Sequence, residues 1–125
     1  MIHTPRLTLR PWRETDRASL AAMCTDPEVM WDYGHVFTRD ESDLRFTRYS
    51  EAYARLRYCR WAIERNTDGL FLGYCGIQPI LNTRLPEGAE IGWRLIRAAW
   101  GQGYASEAAT ASLHDGFERC GLNEI

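Results

Sequence analysis

Two glycines one residue apart mark the segment that decides the fold, Trp100-Gly101-Gln102-Gly103-Tyr104-Ala105-Ser106-Glu107. An alternating stretch at residues 90–96 precedes it and predicts a strand, whereas small residues at helical spacing follow it and predict a helix to about residue 120. Glycine lets a backbone approach a ligand closely, and the free N–H groups at a helix start attract anions. The segment therefore predicts a strand-to-helix turn that can hold a phosphate.

Two familiar phosphate loops do not match this turn. A P-loop requires Gly-Lys-Ser/Thr, and the chain contains no Lys. A dinucleotide-binding loop requires a third glycine at the position of Ser106, and an acidic residue on a later strand. A tight turn without a ligand remains the alternative, because short glycine motifs also occur by chance.

Further elements precede the glycine turn, and residues 66–69 predict a hairpin turn between two of them. The patterns predict strands at residues 6–12, 58–65 and 70–78 and helices at residues 17–24 and 41–57. Residues 31–38 are rich in aromatics and predict a loop. Residues 123–125 look like the opening of another strand, which would run parallel to its neighbour. The order predicts an α+β fold in layers, with a mixed, mostly antiparallel sheet flanked by helices.

Apolar spacing predicts which face of each helix is buried. In the first helix the predicted face contains Leu20 and Met23. In the second it contains Leu44, Tyr49, Tyr53 and Leu56. In the last it contains Ala105, Ala108, Ala109, Ser112, Leu113 and Phe117.

Length and charge limit the classes of function. With 125 residues the chain predicts a single domain, and its net charge of −2 argues against a general nucleic-acid partner. Every basic side chain apart from histidine is an arginine, and without a Lys at the glycine turn we expect a phosphate there to bind backbone donors and the helix dipole. The N-terminus has no signal-like pattern and no apolar run is long enough to cross a membrane, so we expect a cytoplasmic protein without a membrane partner.

The cysteines and histidines are scattered along the chain, and no C-x-x-C pair occurs. Zinc sites need clustered ligands, so we expect no metal site and four reduced thiols, Cys24, Cys59, Cys75 and Cys120.

At this point the sequence resembles a known family, the GNAT acetyltransferases. The segment from Trp100 to Ala108 resembles their coenzyme A loop, Q/R-x-x-G-x-G/A, with the fixed glycine at Gly103 and the final small residue at Ala105. Trp100 replaces the first Gln or Arg, as is common in the Rim-type branch that acetylates protein N-termini. The other segments similar to this branch are Thr4-Pro5-Arg6-Leu7-Thr8-Leu9-Arg10-Pro11, Asp26-Pro27-Glu28-Val29-Met30, Gly73-Tyr74-Cys75-Gly76-Ile77 and Ala89-Glu90-Ile91-Gly92-Trp93-Arg94-Leu95.

The resemblance implies the acyl-coenzyme A N-acyltransferase fold, with acetyl-coenzyme A as cosubstrate and a primary amine as acceptor. It also implies that the strand at 90–96 splays from its neighbour to pair with the pantetheine arm. The implied cofactor contacts are Trp93, Arg94, Leu95, Gly101, Gln102, Gly103, Tyr104, Ala105 and Ser106. Family members continue beyond the point where this sequence stops, so we expect a domain that is incomplete at its C-terminal end, without the later strands.

Glu90 is the candidate general base, acting through a water, because it lies on the strand nearest the thioester. The alternative for Glu90 is a solvent-facing carboxylate or a salt bridge with Arg94. Glu107 is expected to stabilise the first turn of its helix through the helix dipole. The aromatic residues Trp31, Tyr33 and Phe37 lie where the family shapes its acceptor pocket, although packing would equally explain them.

Three functions stay open from the sequence. The first is acetyl transfer to a protein N-terminal amine, which needs less help from a base because its pKa is about 7.7–8.0. The second is a domain that binds coenzyme A or a partner chain without turnover, with an exposed sheet edge that could form a homodimer. The third is acetylation of a small amine such as a polyamine or an antibiotic.

Overall fold

The computed structural model describes residues 1–81 and 84–125 and contains one five-stranded sheet. The strands are β1 (Ile2–His3), β2 (Leu7–Arg10), β3 (Arg60–Arg65), β4 (Phe71–Pro79) and β5 (Ala89–Leu95). They lie side by side in chain order, and every neighbouring pair is antiparallel. Strand β5 is therefore an edge strand, and its outer side is unpaired within the described residues.

Three α-helices cover this sheet, α1 (Asp16–Met23), α2 (Arg39–Leu56) and α3 (Tyr104–Glu118). The start of α2 is a capping box, in which Thr38 Oγ1 accepts the Glu41 N–H at 3.2 Å and the Glu41 carboxylate accepts the Thr38 N–H at 3.0 Å. Helix α3 packs on the face that carries Cys75, and α1 and α2 enclose the face that carries Tyr74. Successive strand residues point to opposite faces, which explains this division.

The core has two parts, one on each side of the sheet. On the α3 side Leu7, Leu9, Trp61 and Ile63 pack against Ala108. On the other side Leu20 and Met23 of α1 meet Phe46 and Tyr49 of α2, as the spacing in α1 predicts. The predicted α+β architecture with flanking helices is confirmed, and the sheet, which was predicted to be mixed and mostly antiparallel, is antiparallel throughout the described residues.

Two predicted helix faces were partly wrong. In α2 the buried positions are Ser42, Phe46 and Tyr49, while Leu44 is half exposed, because it lies about 200° around the helix from Ser42. In α3 the buried positions are Tyr104, Ala108, Ser112 and Gly116. Since this stripe steps by four residues, Phe117 is turned about 100° away from it and is exposed.

Three local features also differ from the sequence predictions. Strand β1 was not predicted, and residues Trp31–Tyr33 form a short 3₁₀ helix inside the predicted loop. Residues 123–125 form no strand, because the tail turns back on α3. There the Leu122 N–H donates to the Gly116 carbonyl at 3.1 Å and Ile125 packs beside that glycine.

A buried ion pair ties β2 to the start of α1. Arg10 donates from Nη1 and Nη2 to the two carboxylate oxygens of Asp16 at 2.8 and 3.0 Å, and both side chains are nearly inaccessible. The Asp16 carboxylate also accepts the Arg13 N–H at 2.7 Å. These bonds satisfy both charges, so the pair fixes where α1 leaves the sheet.

In residues 1–81 and 84–125, no helix is both long enough and apolar enough to cross a membrane.

Candidate functional site

A cleft lies at the edge of the sheet, where β5 ends and α3 begins. After β5 the chain forms a short 3₁₀ helix at Arg97–Ala99, then the glycine turn, then α3. Gly101 and Gly103 have φ angles of +73° and +81°, a region that side-chain-bearing residues rarely adopt. The cleft has a volume of about 400 Å³, and its lining is Val29, Trp31, Trp93, Arg94, Leu95, Ala99, Trp100, Gly101, Gly103, Tyr104, Ala105 and Ser106.

The start of α3 presents backbone donors to this cleft. The first hydrogen bond of the helix runs from the Glu107 N–H to the Gly103 carbonyl at 3.1 Å. The N–H groups of Tyr104, Ala105 and Ser106 therefore have no acceptor within the helix, and Gly103 has no side chain to cap them. Three free N–H groups at the positive end of a 15-residue helix make a site for an anion such as a phosphate.

The outer edge of β5 supplies the second set of backbone groups. The Ile96 N–H donates to the Leu72 carbonyl at 2.9 Å, and hydrogen-bonded pairs alternate along an antiparallel ladder. By this alternation Arg94 turns its peptide groups toward Tyr74, its partner on β4, whereas Trp93 and Leu95 turn theirs outward. The Leu95 carbonyl already accepts the Trp100 indole N–H at 3.1 Å. The outer edge thus offers the N–H groups of Trp93 and Leu95 and the carbonyl of Trp93.

Strand β5 pairs with β4 along its whole length, from Ala89 to Leu95. The splaying that the family resemblance implied therefore does not occur between these two strands. The Arg94 main chain, one of the predicted contacts, faces the sheet, and its side chain enters the cleft lining instead.

The Arg94 side chain binds the segment at residues 29–32, which lines the side of the cleft away from α3. Its Nη1 and Nη2 each donate to the Asp32 carboxylate at 2.8 Å, and Nη1 also donates to the Val29 carbonyl at 2.7 Å. Its Nε donates to the Tyr74 hydroxyl at 3.1 Å, and the guanidinium lies 5.0 Å from the centre of the Tyr33 ring. The hydrogen bonds from Arg94 lower the pKa of Asp32, so this carboxylate is ionised at neutral pH.

Of the three predicted acceptor residues, the structure brings only Trp31 into the lining of the cleft. Trp31 is 77% exposed, which leaves a large apolar surface at the cleft. Tyr33 and Phe37 form an edge-to-face pair with ring centres 4.8 Å apart, and Phe37 is buried in the core beside α2. His35 is exposed and pairs with Glu41 at 3.2 Å.

Glu90 lies at the far end of β5, outside the cleft lining. Its carboxylate accepts from Arg60 Nη2 at 3.3 Å and from Gln78 Nε2 at 3.2 Å. The sequence suggested Arg94 as a salt-bridge partner, and this was wrong, because Arg94 pairs with Asp32. Gly76 and Gly92 leave room for Arg60, since a Cβ at Gly92 would lie 2.8 Å from its Nη2.

The glycine turn is braced by the N-terminal segment, which the sequence did not suggest. Arg6 donates from Nε to Glu107 at 2.7 Å and from Nη1 to the Gln102 carbonyl at 2.8 Å. Thr4 donates to the same Glu107 carboxylate at 2.5 Å. Glu107 therefore anchors the chain start in addition to lying in the first turn of α3, and the Gln102 side chain turns away to bind the Ala98 carbonyl at 2.9 Å.

Among the described residues, no three His, Cys, Asp or Glu side chains converge as ligands for a metal ion. Arg6, Asp32 and Val29 are the site residues that sequence reasoning missed. Their roles depend on contacts more than 60 positions away in sequence, since Arg6 holds the glycine turn, Asp32 holds Arg94, and Val29 accepts from Arg94.

Fold and site together define an α+β domain with a cleft at the edge of its sheet, lined in part by the uncapped start of α3. The family model described as "Acetyltransferase (GNAT) domain" matches residues 6–125 of the chain. The chain therefore belongs to the GNAT acetyltransferase family, and the family resemblance noted in the sequence is confirmed at this level. GNAT domains use acetyl-coenzyme A as cosubstrate.

Individual relatives agree with this assignment. YkkB of Bacillus subtilis, an uncharacterized protein, is 36% identical over 122 residues, which are 91% of this chain and 66% of YkkB. The FsC-acetyl coenzyme A-N(2)-transacetylase of Aspergillus fumigatus is 30% identical over 137 aligned positions, covering 99% of this chain and 55% of that protein. The crystal structure of an acetyltransferase from Agrobacterium tumefaciens superposes with a TM-score of 0.81 at 26% identity, covering 97% of this chain and 68% of that one. The chain thus spans about half to two thirds of the length of these relatives.

Proposed function

We propose that the chain binds acetyl-coenzyme A in the cleft at the sheet edge and transfers the acetyl group to a primary amine. The observation that carries this proposal is that two sets of free backbone groups, at the start of α3 and along the outer edge of β5, meet in one cleft. The three free N–H groups at the start of α3 and the free edge of β5 line one cleft, so a ligand with a phosphate end and an amide-bearing arm can bind both.

The phosphate end fits the glycine turn and the first turn of α3. The N–H groups of Tyr104, Ala105 and Ser106 donate to the pyrophosphate, and the α3 dipole adds attraction at the same place. Gly101 and Gly103 keep their turn close to the ligand without side chains in the way. Arg6 lies next to the turn, but Glu107 neutralises it, so backbone donors supply most of the binding.

The pantetheine arm fits the outer edge of β5. Its amides pair with Trp93 and Leu95 in the manner of an added strand. Because Arg94 points its main chain toward β4, its contribution is to hold Trp31 and Asp32 against the cleft through its guanidinium. A free N–H of this edge, such as that of Trp93, is placed to polarise the thioester carbonyl.

Chemistry then proceeds by direct attack of the amine nitrogen on the thioester carbonyl carbon. A C–N bond forms, the C–S bond breaks, and coenzyme A leaves as the thiol. We assign Glu90 as the base that takes the amine proton through a water, because it lies on β5 and its partners Arg60 and Gln78 fix its carboxylate. No enzyme nucleophile is required, which agrees with buried cysteines at Cys24, Cys59 and Cys75.

For the acceptor we propose a protein N-terminal amine, as in the Rim-type branch that the sequence resembles. Its pKa of about 7.7–8.0 leaves a substantial neutral fraction at physiological pH, whereas a Lys-type amine near 10.4 is almost fully protonated. The name of the Aspergillus relative includes acetyl coenzyme A, which supports the donor and leaves the acceptor of this chain to experiment. Cofactor binding and a second copy of the chain would compete for the same edge of β5.

Calorimetry with acetyl-coenzyme A, followed by a thiol-release assay on peptides and polyamines, tests the proposal. We expect binding and release of coenzyme A with peptides. Binding without release from any amine would favour a domain that holds coenzyme A without turnover. No binding would overturn the cofactor assignment for this chain.

A further inference from the structure

A second cleft lies between α2 and the end of β4, on the side of Glu90 away from the glycine turn. Its volume is about 390 Å³. Arg45, Arg48 and Arg55 of α2 line one side, and Arg60 of β3 lines the other. We call it the arginine cleft. Residues 45, 48, 52 and 55 recur at helical spacing, so these three arginines share one face of α2.

The arginines of this cleft differ from most others in the chain. Ion pairs with Asp or Glu engage Arg6, Arg10, Arg13, Arg17, Arg39, Arg60, Arg65, Arg94, Arg97 and Arg119. Among the remaining arginines whose contacts the structure describes, Arg45, Arg48, Arg55 and Arg57 form no ion pair, and the first three line the cleft. Glu51 contributes a carboxylate to the lining and forms no ion pair with them. The chain as a whole has a net charge of −2, so this positive cleft is a local feature.

The floor of the cleft is connected directly to the proposed base. Arg60 is buried and donates from Nη1 to the carbonyls of Gly76 and Glu90, and from Nη2 to the Glu90 carboxylate at 3.3 Å. Gln78 lines the cleft and donates to that same carboxylate at 3.2 Å. Since Arg60 and Gln78 both line the cleft and both bind the Glu90 carboxylate, one side chain separates a ligand in the cleft from the proposed base.

We propose that the arginine cleft binds an anionic group of the acceptor, a carboxylate or phosphate close to its reactive amine, and so selects acidic acceptors. This inference rests on the proposed function, because it names the chemistry of the amine that Glu90 serves. Arginine binds both oxyanions through forked N–H pairs, and among the described residues the charges of Arg48 and Arg55 have no carboxylate partner to displace. The same charges repel polyamines, which argues against that class of acceptor.

Matched acceptors test the proposal in the thiol-release assay. One pair is a peptide with Glu at its second and third positions against the same peptide with Gln, and the other is phosphoethanolamine against ethanolamine. We expect a KM about tenfold lower for the anionic member of at least one pair, as for a favourable charge contact worth that factor. The pair that responds identifies the source of the anion, a peptide side chain or a phosphorylated small amine.

Charge-reversal variants test whether the arginines bind the acceptor, because a merely structural role would not invert the preference between acidic and basic acceptors. R55E and the R48E/R55E pair should lose the preference and acetylate a Lys-containing peptide better than the parent protein does. R57E is the matched control, because Arg57 lies at the end of the same helix outside the cleft lining. Its ratio of KM values should equal that of the parent protein.

The outcomes separate this inference from the proposed function. Equal KM values for anionic and neutral acceptors, with turnover of both, would overturn the arginine cleft and leave the acetyl transfer intact. An equal change of the KM ratio in R55E and R57E would also overturn the arginine cleft, because such a result would show a general effect of net charge. If no amine is acetylated, the proposed function fails, and calorimetric binding of the Glu peptide against the Gln peptide then decides whether the cleft holds an anion.

Discussion

Arg94 of β5 and Asp32 of the 3₁₀ turn are joined by two hydrogen bonds of 2.8 Å beside the cleft at the sheet edge. They are 62 positions apart in sequence. The exposed Trp31 precedes Asp32 in the same 3₁₀ turn and lines the cleft. We therefore expect the bridge to hold Trp31 in place beside Arg94 in the lining of the cleft. Its effect on ligand binding should exceed its effect on the stability of the fold, because the Asp32 side chain is 43% exposed.

D32N tests this relationship. It should weaken acetyl-coenzyme A binding about three- to tenfold in calorimetry, while the free energy of unfolding changes by less than about 1 kcal/mol. D43N is the control, since Asp43 pairs with Arg39 and Arg17 away from the cleft. An unchanged dissociation constant in D32N would show that the bridge does not shape the site.

The ion pair between Arg94 and Asp32 also predicts how acetyl-coenzyme A binding depends on pH. Arg94 holds the pKa of Asp32 below its ordinary value, first through hydrogen bonds. In the unfolded chain this pKa is about 3.9, so the contribution of the bridge is complete above that pH and is lost as the pH falls through the lower folded-state pKa. We therefore expect no weakening of acetyl-coenzyme A binding from this group between neutral pH and about pH 5.

G101A and G103A test the glycine turn. Each residue has a positive φ, and a Cβ at Gly103 would lie 3.4 Å from Arg6 Nη2, so each substitution should destabilise the fold by about 1 kcal/mol. Both should also weaken binding of acetyl-coenzyme A, because the turn must shift. G69A is the matched control, with a φ of +71° in the hairpin turn. In urea denaturation G69A should lose a similar amount of stability, but it should keep its full affinity for acetyl-coenzyme A. A loss of affinity in G69A would contradict the assignment of the glycine turn to the cofactor.

E90Q tests the base. Gln keeps the shape and an acceptor for Arg60 but does not take a proton, so kcat should fall about 100-fold while binding of acetyl-coenzyme A stays unchanged. The deficit should shrink at alkaline pH, where more of the acceptor amine is already neutral. E87Q, in the exposed loop before β5, should behave like the parent protein. A uniform deficit at every pH would assign Glu90 a positioning role instead.

D16N tests the buried ion pair. It leaves the inaccessible Arg10 guanidinium with only the longer carboxylate contact, to Glu64 at 3.3 Å, and should lower the free energy of unfolding by about 3 kcal/mol. E14Q breaks an exposed pair with Arg17 and should cost less than about 1 kcal/mol. Similar urea midpoints for the two variants would show that burial of the Arg10 pair adds nothing.

Thiol labelling tests the packing of the cysteines. Burial raises the pKa of Cys24 to about 11, that of Cys59 to about 12 and that of Cys75 to about 11. At pH 8 about one in a thousand of the Cys24 and Cys75 thiols is ionised, and access to them is blocked as well. Iodoacetamide should therefore label the half-buried Cys120 first, as peptide mass spectrometry would show. C120S should remove the fast phase, and fast labelling of Cys59 in that variant would indicate local opening of the sheet.

Local patterns predicted the parts of this fold that local chemistry controls. The hairpin turn at 66–69 and the small residues after Gly103 both depend on neighbours within a few positions. The interpretation of the glycine turn as an anion site also comes from local pattern, and it stays a prediction. Strand β1 escaped prediction because two residues form no readable pattern, and Ile2 and His3 gain their strand structure from pairing with Leu9 and Thr8.

The partners of the Glu90 and Arg94 side chains depend on the register of β5 against β4, which cannot be inferred from the sequence. Glu90 and Arg94 lie on the same face of β5, yet each binds a residue of another element, Arg60 and Asp32. The same alternation turned the main chain of Arg94 away from the cleft and left those of Trp93 and Leu95 toward it. Single-residue differences of this kind follow from the pairing of β5 with β4.

The exclusive use of arginine has a consequence for the pH range in which the fold survives. Hydrogen bonds to Asp16 and Asp32 raise the pKa values of Arg10 and Arg94 beyond that of a free arginine, so the stability from these pairs is complete below the ordinary arginine pKa and is lost only above it. Primary amines of the Lys type lose their protons near pH 10.4. The ion pairs that hold β2, β5 and the 3₁₀ turn in place thus stay charged in alkaline solutions where an acceptor amine becomes a free nucleophile, and alkaline tolerance is built into the framework of the site.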